Sequence, residues 1–406
     1  MAQARRRLPG GVIALGLVSL CMDASSELVH SLLPVFMSSV LGASLLSIGI
    51  IEGIAEATAA ITKVFSGVLS DRWQRRKGLV VLGYSLAALT KPIFPLAESL
   101  AAVLSARFLD RIGKGIRGAP RDALVADITP PALRNAAYGL RQSMDSMGAF
   151  IGPLLAVSLM LLWHDDIRAV LWVAVVPAVL AVVLLMAGVQ EPDRAALTEK
   201  AHGRPGRSPL TPGELRRLGT RYWLIVLFGG VLTLARFSEA FLVLRAQDLG
   251  VTLAWIPAVL VVMNVVYAAS SYPAGLAASR WSRRTLLGIG VAMLLVADLV
   301  LALATSPGLV FLGTALWGLH MGLTQGLIAA LIADTIPADQ RGTAFGFFNL
   351  ITGILMLVAS VVAGGLWDGF GAAATFLAGA VFSALALCGY LACARMFRSA
   401  NKSGSH

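Results

Sequence analysis

Asp23, Glu27 and His30 stand at i, i+4 and i+7 in an otherwise apolar stretch, so a helix there carries all three on one face. Ionisable groups at such a spacing in low dielectric can bind a charged ligand or trade a proton for it. Glu52, Glu56 and Lys63, at relative positions 0, 4 and 11, form a second stripe. Two carboxylates one turn apart can share a proton, because ionising both in low dielectric is costly. Arg107, Asp110, Arg111 and Lys114 form a ladder, and Arg141, Gln142 and Asp145 a further cluster in which Arg141 and Asp145 can neutralise each other. Later in the chain, Arg236 and Glu239 lie three apart, and Asn264, Tyr267, Asp298, His320 and Gln325 are the main remaining polar candidates. Proton exchange is expected at Asp23, Glu27, Glu56 and Asp145. Ligand binding is expected at Asp23, Glu27, His30, Lys63, Arg107, Arg141, Gln142, Arg236, Glu239 and Asn264. No nucleophile–base pair stands out, so an enzyme is not expected. Metal binding has only Asp23, Glu27 and His30 as weak candidates.

These groups need membrane-spanning elements to hold them. Hydrophobic residues make up 57% of the 406, charged residues 14%, and mean hydropathy is +0.79, whereas soluble domains carry about 25% charged residues. Apolar runs of span length recur at 11–40, 45–70, 78–97, 99–127, 134–163, 168–188, 222–247, 252–279, 285–305, 307–334, 342–367 and 371–394. Hydrocarbon leaves the backbone no outside partner, so each run is expected to be a helix. Arg5 to Arg7 followed by an apolar run resembles a signal peptide, but the run is too long and too charged, and it is read as the first span. Cys21, Cys388 and Cys393 all fall in apolar runs and are expected to be buried free thiols.

The net charge of +11 is a matter of topology. With a cytoplasmic N-terminus, 26 of the 33 Lys and Arg residues fall in segments on that side, against Arg168 in the opposite loops. This distribution puts both termini in the cytoplasm of a multi-pass inner-membrane protein. It points to lipid contact and not to a nucleic-acid partner. No Gly-x-x-x-x-Gly-Lys-Ser/Thr loop occurs, and no cofactor is implied.

The chain repeats itself. Residues 67–77 (Gly-Val-Leu-Ser-Asp-Arg-Trp-Gln-Arg-Arg-Lys) match 275–284 (Gly-Leu-Ala-Ala-Ser-Arg-Trp-Ser-Arg-Arg) at an offset of 208, and 124–139 match 331–346 at an offset of 207. Both offsets are close to half the chain, as expected of a duplicated membrane unit. The long polar segment between them is rich in Pro, Gly and charge, as a connector is. The expected fold is all-α, with twelve transmembrane helices in two pseudo-symmetric six-helix bundles. These are 1–189, a cytoplasmic linker 190–220, and 221–406 with a short cytoplasmic tail.

Gly67, Asp71, Arg72, Arg75 and Arg76 resemble the loop signature Gly-x-x-x-Asp-Arg-x-Gly-Arg-Arg of the major facilitator superfamily, with Gln74 in place of the internal Gly. Arg111-x-x-Lys114-Gly115 is similar to that superfamily's fourth-helix signature. Gly148-x-x-x-Gly152-Pro153 is similar to a fifth-helix signature of its drug–proton antiporters. The resemblance covers the whole chain. It implies alternating-access transport of a small solute, expected to be proton-coupled efflux by a monomer, with Arg111 handling protons. Gly67, Asp71, Arg72, Arg75 and Arg76 would be a conformational latch. Gly148, Gly152 and Pro153 would form a packing or hinge surface at the crossing between halves. A divalent-metal or metallophore exporter and a proton-coupled importer are the alternatives on the same fold.

Overall fold

The computed structural model describes residues 8–73, 76–190, 218–337 and 340–392. Helices account for the spans, as the need to satisfy every backbone group in hydrocarbon demands. They are α1 (Gly10–Val35), α2 (Leu45–Trp73), α3 (Arg76–Thr90), α4 (Ile93–Leu96), α5 (Leu100–Ile128), α6 (Arg134–Leu162), α7 (Ile167–Val173), α8 (Val175–Gly188), α9 (Thr220–Ala235), α10 (Ala240–Asp248), α11 (Ala258–Arg280), α12 (Arg283–Ala302), α13 (Pro307–Thr335), α14 (Arg341–Phe370) and α15 (Ala372–Ala392). With α3–α4, α7–α8 and α9–α10 each forming one span, twelve spans result among the described residues. Eleven helical segments are long and apolar enough to cross a membrane. The twelfth, α5, carries Arg107, Asp110, Arg111, Lys114, Arg117, Arg121 and Asp122 along its length.

Two compact units emerge. The first comprises Met1–Ala43, Ile54–Ser208 and Thr252–Ala258, and the second Ser44–Gly53, Pro209–Val251 and Val259–His406. In the first, α1 packs on α6 and α8, and α3 on α5. Its core joins Leu15 and Met22 of α1 to Tyr84 of α3, Leu124 of α5 and Leu185 of α8. In the second, α12 packs on α13 and α15, and α9 on α14 and α15. Its core holds Phe237 between Phe241, Trp317 and Phe376, with ring centroids 5.4–5.5 Å apart.

Two spans depart from regular helix where it matters. After Pro34 the first span continues as a π-helical turn, Phe36–Val40. The seventh span breaks at Arg236 to Glu239, between α9 and α10. Cys21 is half-buried, as expected of a buried thiol only in part, and Cys388 is exposed, contrary to that expectation; Cys393 and most of the linker lie outside the described residues.

Candidate functional site

Small residues let the site assemble. Helix α6 crosses α1 so closely that a Cβ at Gly148 would lie 2.7 Å from the Leu20 carbonyl oxygen, and one at Gly152 2.6 Å from that of Ala24. The same two positions would meet the Cβ atoms of Asp23 (2.9 Å) and Glu27 (2.8 Å). Gly148, Gly152 and the buried Pro153 therefore pack α6 directly behind the charged face of α1, inside the first unit, where the sequence reading placed them at a crossing between halves. On the other side, α2 approaches α5 at Gly115, where a Cβ would meet that of Thr62 at 2.5 Å, and the Ser66 hydroxyl donates to the Gly115 carbonyl at 2.8 Å.

These crossings bring the expected residues together. Arg111 Nη2 lies 3.5 Å from Glu56 Oε1, Arg117 Nη2 3.8 Å from Asp23 Oδ1, and His30 Nδ1 3.4 Å from Glu27 Oε2. Arg141 reaches Asp145 at 2.9 Å and Asp122 at 3.3 Å, and Arg121 reaches Asp145 at 3.6 Å. Arg121 also donates to the Ser19 hydroxyl at 2.8 Å, and the Arg117 guanidinium lies 4.6 Å from the Tyr84 ring centroid. The layering has a direction. The Arg111 and Arg117 side chains are buried, at 4% and 5% exposure, while Glu56 keeps 38%, Asp23 23% and Glu27 22%. Buried guanidinium groups thus back Glu56 and Asp23, while Glu27 faces the His30 imidazole, and solvent reaches all three carboxylates, which gives a proton a path to them. Arg107 is buried near Asp110, Lys63 is exposed on α2, and Gln142 is exposed and accepts from Arg141 Nη2 at 3.3 Å.

From the sequence, Lys91, just before Pro92, is expected to snorkel to the outer interface, and Lys114 and Arg117 to anchor the cytoplasmic mouth. Lys91 is instead fully buried, donating to Asp110 at 2.9 Å and to Ser26 at 3.1 Å. Arg117 is buried against Tyr84 and Asp23. A signal was present: Arg107, Arg111, Lys114, Arg117 and Arg121 recur at steps of 4, 3, 3 and 4, which is one stripe of a helix and not a loop cluster.

In the second unit, Arg236 and Glu239 flank the break between α9 and α10. The Ser238 N–H is held by the Ser360 hydroxyl at 3.2 Å. Across this region the Tyr267 hydroxyl donates to Gln325 at 3.0 Å. Asn264 lies on α11, half-buried, and the buried His320 places Nδ1 2.7 Å from the Gly290 carbonyl. Asp298 is fully buried and accepts from Ser383 at 3.3 Å. Interrupted spans are where transporters place unwound backbone next to a bound solute. Among the described residues, no three or more His, Cys, Asp or Glu side chains converge as a metal ion would require.

The loop repeat acquires a partner. Arg76 is ion-paired to Asp127 at the end of α5, and Arg283 to Asp334 at the end of α13. Both members of the second pair stand 207 residues beyond those of the first. The two sequence repeats are therefore the two sides of one ion pair, made once within each unit, with Arg283 making the contact although the loop alignment sets Arg284 opposite Arg76. Gly67 faces Ala119, where a Cβ would sit at 3.4 Å. Asp71 and Arg72 lie on α2, and Arg75 outside the described residues. Reversing one charge, as in Arg76→Asp, is expected to lower stability by about 1.5–3 kcal/mol, and Arg76→Asp with Asp127→Arg to recover most of it. Thermal unfolding in detergent measures this. A double variant no better than the sum of the singles would refute the pairing.

Comparison with known proteins agrees with this architecture. A profile of the Major Facilitator Superfamily matches residues 15–259 and 237–405. An uncharacterized MFS-type transporter of Methanocaldococcus jannaschii is 32% identical over 384 residues, covering 93% of each chain. Multidrug resistance protein MdtH of Yersinia pestis is 25% identical over 334 residues, covering 80% of this chain and 79% of its own. The crystal structure of a point mutant of the nucleoside transporter NupG superposes with a TM-score of 0.80 at 13% identity, covering 95% of this chain and 100% of that one. With its twelve spans, its duplicated Arg–Asp pair and this match along nearly its whole length, the chain belongs to the Major Facilitator Superfamily, a family of membrane transporters.

Proposed function

We propose that the protein is a proton-coupled secondary transporter that exports a small solute in exchange for protons. Its halves, 1–189 and 221–406 joined by 190–220, would alternate access to the site as a monomer in the inner membrane, with both termini cytoplasmic. The observation that carries this reading is the part-exposed carboxylate row of Asp23, Glu27 and Glu56, held at membrane depth with His30, Arg111 and Arg117 within 3.4–3.8 Å. A carboxylate in low dielectric with a cation nearby has two available states, ionised on the cation or protonated. Solute binding that displaces either partner shifts the balance between them, which is what coupling requires. Arg141 and Asp145 extend the row along α6, and Arg236, Glu239 and Asn264 offer solute contacts in the second unit. Export is supported by the likeness to a protein named for multidrug resistance.

Glu27 is the sharpest place to test coupling. It is accessible, and its partner within hydrogen-bonding range is a single histidine at 3.4 Å. In proteoliposomes, Glu27→Gln is expected to reduce proton-driven flux about 100-fold while exchange of solute without a gradient persists and the unfolding temperature is unchanged. Wild-type pH-dependent flux in that variant would rule out Glu27 as the coupling group.

A further inference from the structure

Lys114 is a charged residue of the first unit that this mechanism leaves unused. It is exposed, although it lies in the middle of the span-length helix α5. Its face decides what it is exposed to. Phe108 and Leu109, exposed apolar residues that mark the lipid side, stand about 120–140° from Lys114 around the helix, whereas Arg107 and Arg111 share its side. An ammonium at this depth is tolerated on a wetted, charged face and not in hydrocarbon. Glu56, Glu27 and Asp23 are within electrostatic reach of it, yet none of the ion pairs among the described residues includes it. Of the other cations of the stripe, Arg107, Arg111 and Arg117 are buried at 1–4% exposure and Arg121 is half-buried.

A solute reaching this face therefore meets the accessible Lys114 ammonium, with the exposed Lys63 side chain one turn further along α5 against Gly118, and a row of accessible carboxylates. A wholly anionic solute would bring its charge onto Lys114 but also against Glu56 and Glu27. A wholly cationic one would satisfy the carboxylates but meet Lys114 and the arginines behind it. Like-charge and opposite-charge contacts at the same distance are of equal and opposite energy, so either mismatch offsets the matching contact. A dipolar solute has no mismatch.

We infer that the transported solute is dipolar, its amine end held by Glu56 and Glu27 and its carboxylate or phosphate end by the Lys114 ammonium. This rests on the transport reading for its biological meaning, but the binding itself needs no gradient. It also fits antiport, because the amine competes with the proton for the same carboxylates.

The test uses the full-length protein in nanodiscs of zwitterionic lipid, with thermal stabilisation as the readout. The dipolar probes are 4-aminobutyrate and glycylglycine, and butyrate and butylamine are the singly charged analogues. Wild-type protein is expected to bind the dipolar probes at least about tenfold more tightly, a difference of about 1.4 kcal/mol. Lys114→Gln should erase the advantage over butylamine and Lys114→Arg restore it, Glu56→Gln should erase the advantage over butyrate, and Lys77→Gln should change neither. A singly charged probe binding as tightly as its dipolar counterpart, no response to either dipolar probe, or a Lys114→Gln protein that keeps the preference would overturn the inference. If the preference follows Lys114 while Glu27→Gln leaves coupled flux intact, the coupling reading fails and the dipolar site stands.

Discussion

Lys91→Met is expected to destabilise the protein by about 3–5 kcal/mol. Lys91 and Asp110 are a buried pair with side-chain exposures of 1% and 5%, at 2.9 Å. The ammonium also holds Ser26 of α1 at 3.1 Å and lies 6.0 Å from the Phe94 ring centroid. One lysine therefore ties the third span to both α1 and α5, which carry the acidic and basic stripes of the site. Methionine fills nearly the same space but removes the donor, so Asp110 keeps its burial and loses its direct partner. The desolvation of a carboxylate is then offset only by the fields of Arg107 and Arg111. Replacing both partners, as in Lys91→Met with Asp110→Leu, removes the stranded charge and should recover most of the loss, because a buried ion pair adds little over apolar packing. Unfolding temperature in detergent for the two singles and the double decides it. If the double is no more stable than Lys91→Met alone, the charge pair is not the source of the effect.

The misreading of Lys91 shows what linear sequence carries and what it does not. Hydropathy locates eleven of the twelve spans because the requirement to satisfy backbone groups in lipid acts on each segment independently; α5, with its charged stripe, falls short of that signal. A cation near the end of an apolar run has two solutions, the interface or a buried partner, and the choice depends on whether another span brings a carboxylate. For Lys91 that partner, Asp110, is 19 residues away and arrives only through packing of α3 on α5. Arg117 was misread for the same reason. The duplication was visible, but not that Arg76 and Asp127, from different repeats, are partners. The break in the seventh span had no local cue either. Arg236-Phe237-Ser238-Glu239 contains neither proline nor glycine, and the interruption is held by tertiary contacts, the Ser360 hydroxyl on the Ser238 N–H and the packing of Phe237 among three aromatic rings.

Gly152→Ala is expected to reduce coupled flux more than it reduces stability. A methyl at 152 would lie 2.6 Å from the Ala24 carbonyl oxygen and 2.8 Å from the Glu27 Cβ. Neither neighbour is the end of a flexible side chain, so relief requires α1 to move away from α6. Overpacking of this kind typically costs about 1–3 kcal/mol. The displacement falls on the turn of α1 that carries Glu27 and, one turn earlier, Asp23, whose contacts to His30 and Arg117 are already 3.4 and 3.8 Å. A shift of about 1 Å at such a constellation can cost two orders of magnitude in rate, far more than the packing penalty implies. Gly139 supplies the control on the same helix, since a Cβ there meets nothing within 4 Å. Gly139→Ala should raise stability by about 0.5–1 kcal/mol, the ordinary gain from removing a helical glycine, and leave flux unchanged. Unfolding temperature and proteoliposome flux measured on both variants separate the two effects. Equal behaviour at the two positions would mean that α1 is not held by close contact at Gly152, and that the placing of Glu27 does not depend on it.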